Sequence, residues 1–260
     1  MTNNEIRYTL ITGASTGIGY ELAKLFAKDK HNLILVARNK VKLEDVRNEL
    51  SKYNVDIKIL ALDLSKSDDI KNIFSYVETN KVNIDTLVNN AGIGTFGDFN
   101  DIEWKKEEEL IDINIKALTQ LTKYFLPKIL EYKIGGILNV ASTAAFCSGP
   151  RMSTYYASKA YVLNLTEAIH EEYKKSGIKI SCLCPGPVKT SFQGKAGIKK
   201  SDAAKKYLMD AEEVASICYK DFNKGKLIII PGKKNKLLVI GNKFLPRSIS
   251  RKIILKTNRK

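Results

Sequence analysis

The stretch "YTLITGASTGIG", residues 8–19, decides how the rest of the chain is read. An apolar, β-branched run ends at Thr12, and glycines follow at Gly13, Gly17 and Gly19. Helical periodicity begins at once, over residues 17–29. Glycine tolerates positive φ and lets another backbone come close. A helix that starts at such a loop offers free N–H groups and the positive end of its dipole to a phosphate. Strand, glycine turn and helix in a first βαβ unit form the context of a dinucleotide site, over Gly13, Ser15, Thr16, Gly17, Ile18 and Gly19.

The same alternation continues outward. Further β-rich runs are "NLILVAR" (32–38), "IKILALD" (57–63), "TLVNNAG" (86–92), "GGILNVAS" (135–142), "IKISCLCPG" (178–186) and "KLIIIPG" (226–232). Helical patterns fall between them, over 40–53, 67–80, 103–131, 154–176 and 210–223. The strands are continuous apolar runs, as in a parallel sheet covered on both faces. Repeated βα units with right-handed crossovers give a doubly wound α/β sheet. No repeat or linker interrupts the 260 residues, so a single domain is expected.

Composition narrows the function classes. Four cysteines show no zinc or disulfide spacing, and two histidines make a metal site unexpected. Cys182 and Cys184 are expected on one side of a buried strand, all four cysteines as reduced core residues, and the compartment as the cytoplasm. No signal-peptide pattern and no run of ~18 apolar residues is seen. The formal charge is +15, but residues 222–260 hold twelve Lys or Arg and no acid, leaving +3 for the rest. With no accompanying motif, nucleic acid is not expected as a partner.

The end of the second strand bears on the ligand. An NAD site places a carboxylate there for the ribose hydroxyls. Here the residues are "VARNK", with Ala37 where the acid would stand and Arg38 after it. A guanidinium pairs with a 2′-phosphate, so NADP(H) is favoured over NAD(H), with Asn39 and Lys42 as weaker contributors.

Two adjacent tyrosines in "STYYASKA", residues 153–160, lie three and four residues from Lys159. Both separations are neighbours on a helix, so spacing alone leaves Tyr155 and Tyr156 open. A phenol has a reference pKa of ~10. A neighbouring ammonium is expected to lower it and make the hydroxyl a reversible proton donor. Ser142, at the end of the fifth strand, can donate to a substrate oxygen, and Lys159 can reach ribose hydroxyls.

Taken together, these motifs resemble the short-chain dehydrogenase/reductase family over roughly residues 7–232, and most of all its NADP-dependent bacterial carbonyl, 3-oxoacyl and hydroxysteroid reductases. "TGASTGIG" looks like its cofactor loop. Asp63 and Leu64 resemble its adenine contact, and Asn90, Ala91 and Gly92 its fourth-strand motif. Asn114, Ser142, Tyr155 with Lys159, and Pro185-Gly186 followed by Val188 and Thr190 complete the set. The resemblance implies a Rossmann-type parallel sheet of about seven strands, ordered 3-2-1-4-5-6-7. It implies hydride transfer between a nicotinamide and a carbonyl or secondary alcohol, with Asn114 holding a relay water for Lys159. The family's Tyr-x-x-x-Lys order selects Tyr155 and leaves Tyr156 as a packing residue.

On the resemblance, 187–210 is a substrate lid within a catalytic domain of 1–232. Phe146, Met152 and Phe192 are expected as apolar pocket walls. Lys195, Lys199, Lys200, Lys205 and Lys206 could draw an anionic substrate or simply form a solvated face. Residues 233–260 form a basic extension with interleaved apolar side chains. It is expected either to pack on the body or a sister subunit, which is favoured, or to touch an anionic membrane peripherally. A homodimer or homotetramer through the helices at 103–131 and 154–176 is expected. The alternative to an enzyme is a cofactor-binding regulatory or membrane-surface scaffold protein of the same fold, although Ser142, Tyr155 and Lys159 are all present.

Overall fold

The structure, a computed structural model, describes residues 6–197 and 208–258. Strands β1 (Arg7–Thr12), β2 (Asn32–Ala37), β3 (Ile57–Ala61), β4 (Asn83–Asn89), β5 (Gly136–Val140), β6 (Lys179–Leu183) and β7 (Ile228–Ile229) form one sheet, all pairs parallel. Its order is 3-2-1-4-5-6-7, as the resemblance implied.

Helices α1 (Gly17–Lys28), α2 (Lys40–Leu50) and α7 (Ala211–Asn223) pack on one face, around Phe26, Leu43 and Phe222. Helices α3 (Ser67–Thr79), α5 (Leu118–Tyr132) and α6 (Ser153–Tyr173) cover the other. In β1, Leu10 points into the second core and Ile11 into the first, so both faces of the strand are buried. This is why the strand sequences lack a polar face. Each strand runs toward one edge of the sheet, and the glycine loop, Arg38, Asp63, Asn90, Ser142 and Pro185 follow strand ends there.

The helix expected over 103–131 is divided. An α-helix, α4 (Trp104–Ile111), passes through a wide π turn over Asp112–Ala117 into α5. The turn carries Asn114, which is buried and bonded to Ile93 through both ends of its amide. Such π turns concentrate at functional sites. After β6, a two-residue ladder joins Val188–Lys189 to Met209–Asp210. Lys199, Lys200, Lys205 and Lys206 of the expected lid lie outside the described residues, as does the side chain of Lys195.

The extension folds as α8 (Lys233–Phe244) and α9 (Arg247–Thr257), broken at Leu245-Pro246. It packs on the body, as favoured, but mainly through polar groups. Asn242 donates to the Phe146 carbonyl at 2.7 Å and accepts from Ser250 at 2.6 Å. Asn235 lies against Gly186, and Val239 is buried.

Candidate active site

The loop from β1 to α1 is shaped by Gly13 and Gly17, at φ +63° and +60°. A Cβ on Gly19 would stand 2.4 Å from both Asn90 Nδ2 and the Gly13 carbonyl, so only glycine permits this approach. Thr16 precedes α1 in extended conformation and makes no side-chain cap, which leaves the helix's first N–H groups to a ligand. Thr190 touches the Gly17 position from the segment after β6. This cradle fits a dinucleotide phosphate.

Thr12, which sequence reasoning passed over, anchors the loop. Its Oγ1 accepts from the Asn90 and Ala91 N–H groups, both at 3.0 Å, and donates to the Val88 carbonyl. Asn90 donates back to the Thr12 and Gly13 carbonyls at 3.0 and 3.2 Å. Its amide therefore binds the ends of β1 and β4 together. A polar residue closing an apolar strand run was the available signal.

Arg38 stands at the end of β2, half exposed, in an ion pair of 2.9 Å with Glu109 of α4. Asp63 accepts from the Ser65 hydroxyl and N–H, which fixes the turn that buries Leu64. Gly92 is enclosed by Asn114 Oδ1 and Lys159 Nζ, each 3.2 Å from where a Cβ would be.

Tyr155, Lys159 and Asn114 are all buried, and Ser142 is half-buried. Ser142 lies within hydrogen-bond reach of the Tyr155 phenol. Its Oγ also accepts from Ala144 N–H at 3.1 Å and donates to the Pro185 carbonyl at 3.4 Å. Asn114 Nδ2 donates to Ser158, whose hydroxyl donates to the Tyr155 carbonyl. The expected lowering of the phenol by Lys159 does not occur in this arrangement. The ammonium is bonded to the Val140 carbonyl at 2.9 Å and lies 5.8 Å from the Tyr155 ring centroid. Burial instead pushes the phenol up to about 12, opposed by the bond with Ser142. Burial also pushes Lys159 down to about 8, opposed by Cys182 and Cys184. A low-dielectric site disfavours phenolate and ammonium alike.

Met152 and Phe192 reach the site, and Phe146 does not. Met152 is buried with Leu110, Ala144 and Tyr155. Phe192, on a short helical turn over Phe192–Lys195, lies with its ring centroid 5.5 Å from that of Tyr155. Phe146 instead packs with Ala141 and Ala145 and lines a cavity of about 750 Å³ between α6 and the last two helices. Ile93 and Phe96, just after the "NNAG" motif, pack against the Tyr155 cluster in its place. Tyr156 lies over Gly149 and lines the cavity, with its ring edge-on to that of Tyr155 at 6.1 Å between centroids. Cys147 lies there too, half-buried and outside the core where all four cysteines were expected. Cys182 of β6 and Cys184, just past its end, do lie on one side, with Sγ atoms 3.7 Å apart.

The sequence profile of the short chain dehydrogenases matches residues 7–201. An uncharacterised oxidoreductase of Staphylococcus aureus (strain MRSA252) is 30% identical over 186 residues, 72% of this chain and 80% of that one. Oxidoreductase UcpA of Salmonella typhimurium is 35% identical over 182 residues, 70% of this chain and 69% of its own. Among solved structures, a short-chain dehydrogenase from Sphingobium yanoikuyae in complex with NADPH superposes with a TM-score of 0.82 at 31% identity. It covers 91% of this chain and 93% of that one. Sheet order, glycine cradle and sequence likeness agree, and the chain belongs to the short-chain dehydrogenase family of oxidoreductases.

Proposed function

We propose that the chain is an NADPH-dependent reductase of carbonyl groups, reversible with secondary alcohols, in which Tyr155 is the acid–base residue. The observation that carries this is the burial of Tyr155, Lys159 and Asn114 in one site with Ser142, beside the glycine cradle. Gly13 through Gly19 would hold the dinucleotide's phosphates, Arg38 its 2′-phosphate, and Asp63, Leu64, Asn90, Ala91 and Gly92 its adenosine side. Pro185, Gly186, Val188 and Thr190 would flank the nicotinamide end, and Lys159 the adjoining ribose. When bound, the cofactor supplies the hydride. Ser142 orients the carbonyl oxygen and Tyr155 gives that oxygen its proton. A phenol held up near 12 stays protonated through neutral pH, which suits reduction. Lys159 restores the proton through a relay water held at Asn114. The NADPH bound by the Sphingobium relative and the lack of an acid at Ala37 favour NADP(H).

Ile93, Phe96, Met152 and Phe192 favour an apolar ketone or aldehyde. Self-association through the helical segment 103–131 and α6 belongs to the same reading. A shallow apolar groove of about 500 Å³ lies between Ile111 of α4, Ile115 of the π turn and Tyr161 of α6.

The test is a pair of single substitutions. Tyr155→Phe is expected to lower kcat by at least about 10²-fold while NADPH binding, read by fluorescence, persists. Tyr156→Phe is expected to retain turnover. An active Tyr155→Phe enzyme would overturn the assignment.

A further inference from the structure

The last two helices use only one of their faces against the body. The inner face is polar and occupied: Asn235 lies on Gly186, Asn242 bonds Phe146, and Ser250 bonds Asn242. Asn258, just beyond α9, donates to the Pro150 carbonyl at 3.0 Å. The outer face is apolar and basic. Leu237 and Leu238 are each 71% exposed and Phe244 is 84% exposed. Eight of the fourteen large apolar side chains exposed among the described residues fall between 237 and 255. Interspersed with them are eight exposed Lys and Arg from 233 to 256, and no acidic residue follows Asp221. Scattered single exposed leucines are ordinary, but a concentration of this kind marks an interaction surface.

We propose that this face docks on an anionic lipid bilayer. Charge decides the occupant. A second copy set face to face through the same helices would bring the bases of one copy against those of the other, with no carboxylate in the segment to separate them. Nucleic acid would pair with the bases but would leave Leu237, Ile240, Phe244 and Ile253 uncovered. An anionic membrane surface satisfies both components. Its headgroups attract Lys and Arg, and its acyl boundary takes the apolar side chains. No helix among the described residues is long and apolar enough to cross a membrane, so the helices lie in the interface and do not span it. Docked this way, the loop between Ser142 and Tyr155, to which these helices are bonded, sits beside the bilayer.

The experiment is co-sedimentation of the full chain with vesicles of phosphatidylcholine alone and of equimolar phosphatidylglycerol and phosphatidylcholine. Binding to the anionic vesicles, weakened by salt, is expected, with little or none to the neutral ones. The double variants Leu237→Ser/Phe244→Ser and Arg251→Glu/Lys252→Glu are each expected to lower partitioning on the order of tenfold or more. All four positions are exposed, so unchanged circular dichroism and Tm are expected alongside. Three outcomes overturn the proposal: no binding, equal binding to both vesicle types, or undiminished binding by both variants. A dimer by light scattering that Leu237→Ser/Phe244→Ser dissociates, without any lipid binding, would assign the face to a second copy. Oligonucleotide binding without vesicle binding would assign it to nucleic acid.

Discussion

The guanidinium of Arg38 is paired with Glu109, and the 2′-phosphate of the proposed NADPH would compete with that carboxylate. Neither side chain is buried, so the pair is worth only about 0–1 kcal/mol. Glu109→Gln is therefore expected to lower KM for NADPH by up to about fivefold and leave KM for NADH unchanged. Steady-state kinetics with both cofactors read this directly, and a raised NADPH KM would remove Arg38 from the phosphate site. Lys159 presents the reverse situation, a cation paying for its burial. Its value in the fold is about 8, below that of a free lysine. Below pH 8 folded and unfolded chains both hold the proton, and the full penalty stands. Between pH 8 and the free-lysine value the folded chain releases it first, so stability climbs with pH. Lys159→Met removes a penalty of about 3 kcal/mol at neutral pH and forfeits about 1 kcal/mol at the Val140 carbonyl. Its Tm at pH 7 is expected to rise by about 5 °C while turnover is lost. The gap over the wild type should close on raising the pH toward the free-lysine value. A variant less stable than the wild type at pH 7 would show that the lysine stabilises the fold.

At the scale of elements, the loop before α6 is held from two directions. Arg151 sits at φ +69°, unfavourable for a side-chain-bearing residue, and is fixed by its contacts. Its carbonyl accepts from Gly97, its Nε reaches Asp98 at 3.3 Å, and its Nη1 donates to the Asn258 carbonyl at 2.9 Å. Asn258 answers through the Pro150 carbonyl and the Tyr156 side chain. Because this loop carries Met152 and leads into Tyr155, Asn258→Ala is expected to raise KM for the carbonyl substrate. A rise of about three- to tenfold follows from the hydrogen bonds lost, with the Kd for NADPH unchanged. Unaltered KM would make the clasp a contributor to stability alone. None of this was legible in the sequence, since contacts separated by 53 to 108 residues leave no periodicity. The π turn at Asn114 was equally hidden. Residues 103–131 carry an ordinary helical pattern, and the wider turn is visible only in the folded backbone over Asp112–Ala117.

Across the whole molecule, what was legible was what repeats. Continuous apolar strands alternating with amphipathic helices specify two cores on one parallel sheet, and Leu10 and Ile11 divide between them as that pattern requires. Most motif positions were legible for a related reason: the glycine loop, Arg38, Asp63, Asn90, Ser142 and Pro185 each follow a strand, and parallel strands all end at one edge. Side-chain partners were not, so Phe146 was misplaced, and Thr12 and Glu109 were missed. The shared edge also makes ligand and fold stability inseparable. A dinucleotide laid along it would touch the ends of β1, β2, β4 and β6 together and bind only the folded chain. Such a ligand at about 100 times its Kd stabilises by about 2.7 kcal/mol, a rise in Tm of about 5–10 °C for a chain of this size. NADPH is expected to give this shift in a thermal melt, and NADH at the same concentration a smaller one. Arg38→Ala should bring the NADPH shift down to the NADH value, because only the 2′-phosphate distinguishes the two. If the difference survives in Arg38→Ala, the preference arises elsewhere on that edge; if neither cofactor shifts the wild type, the glycine cradle is not a dinucleotide site.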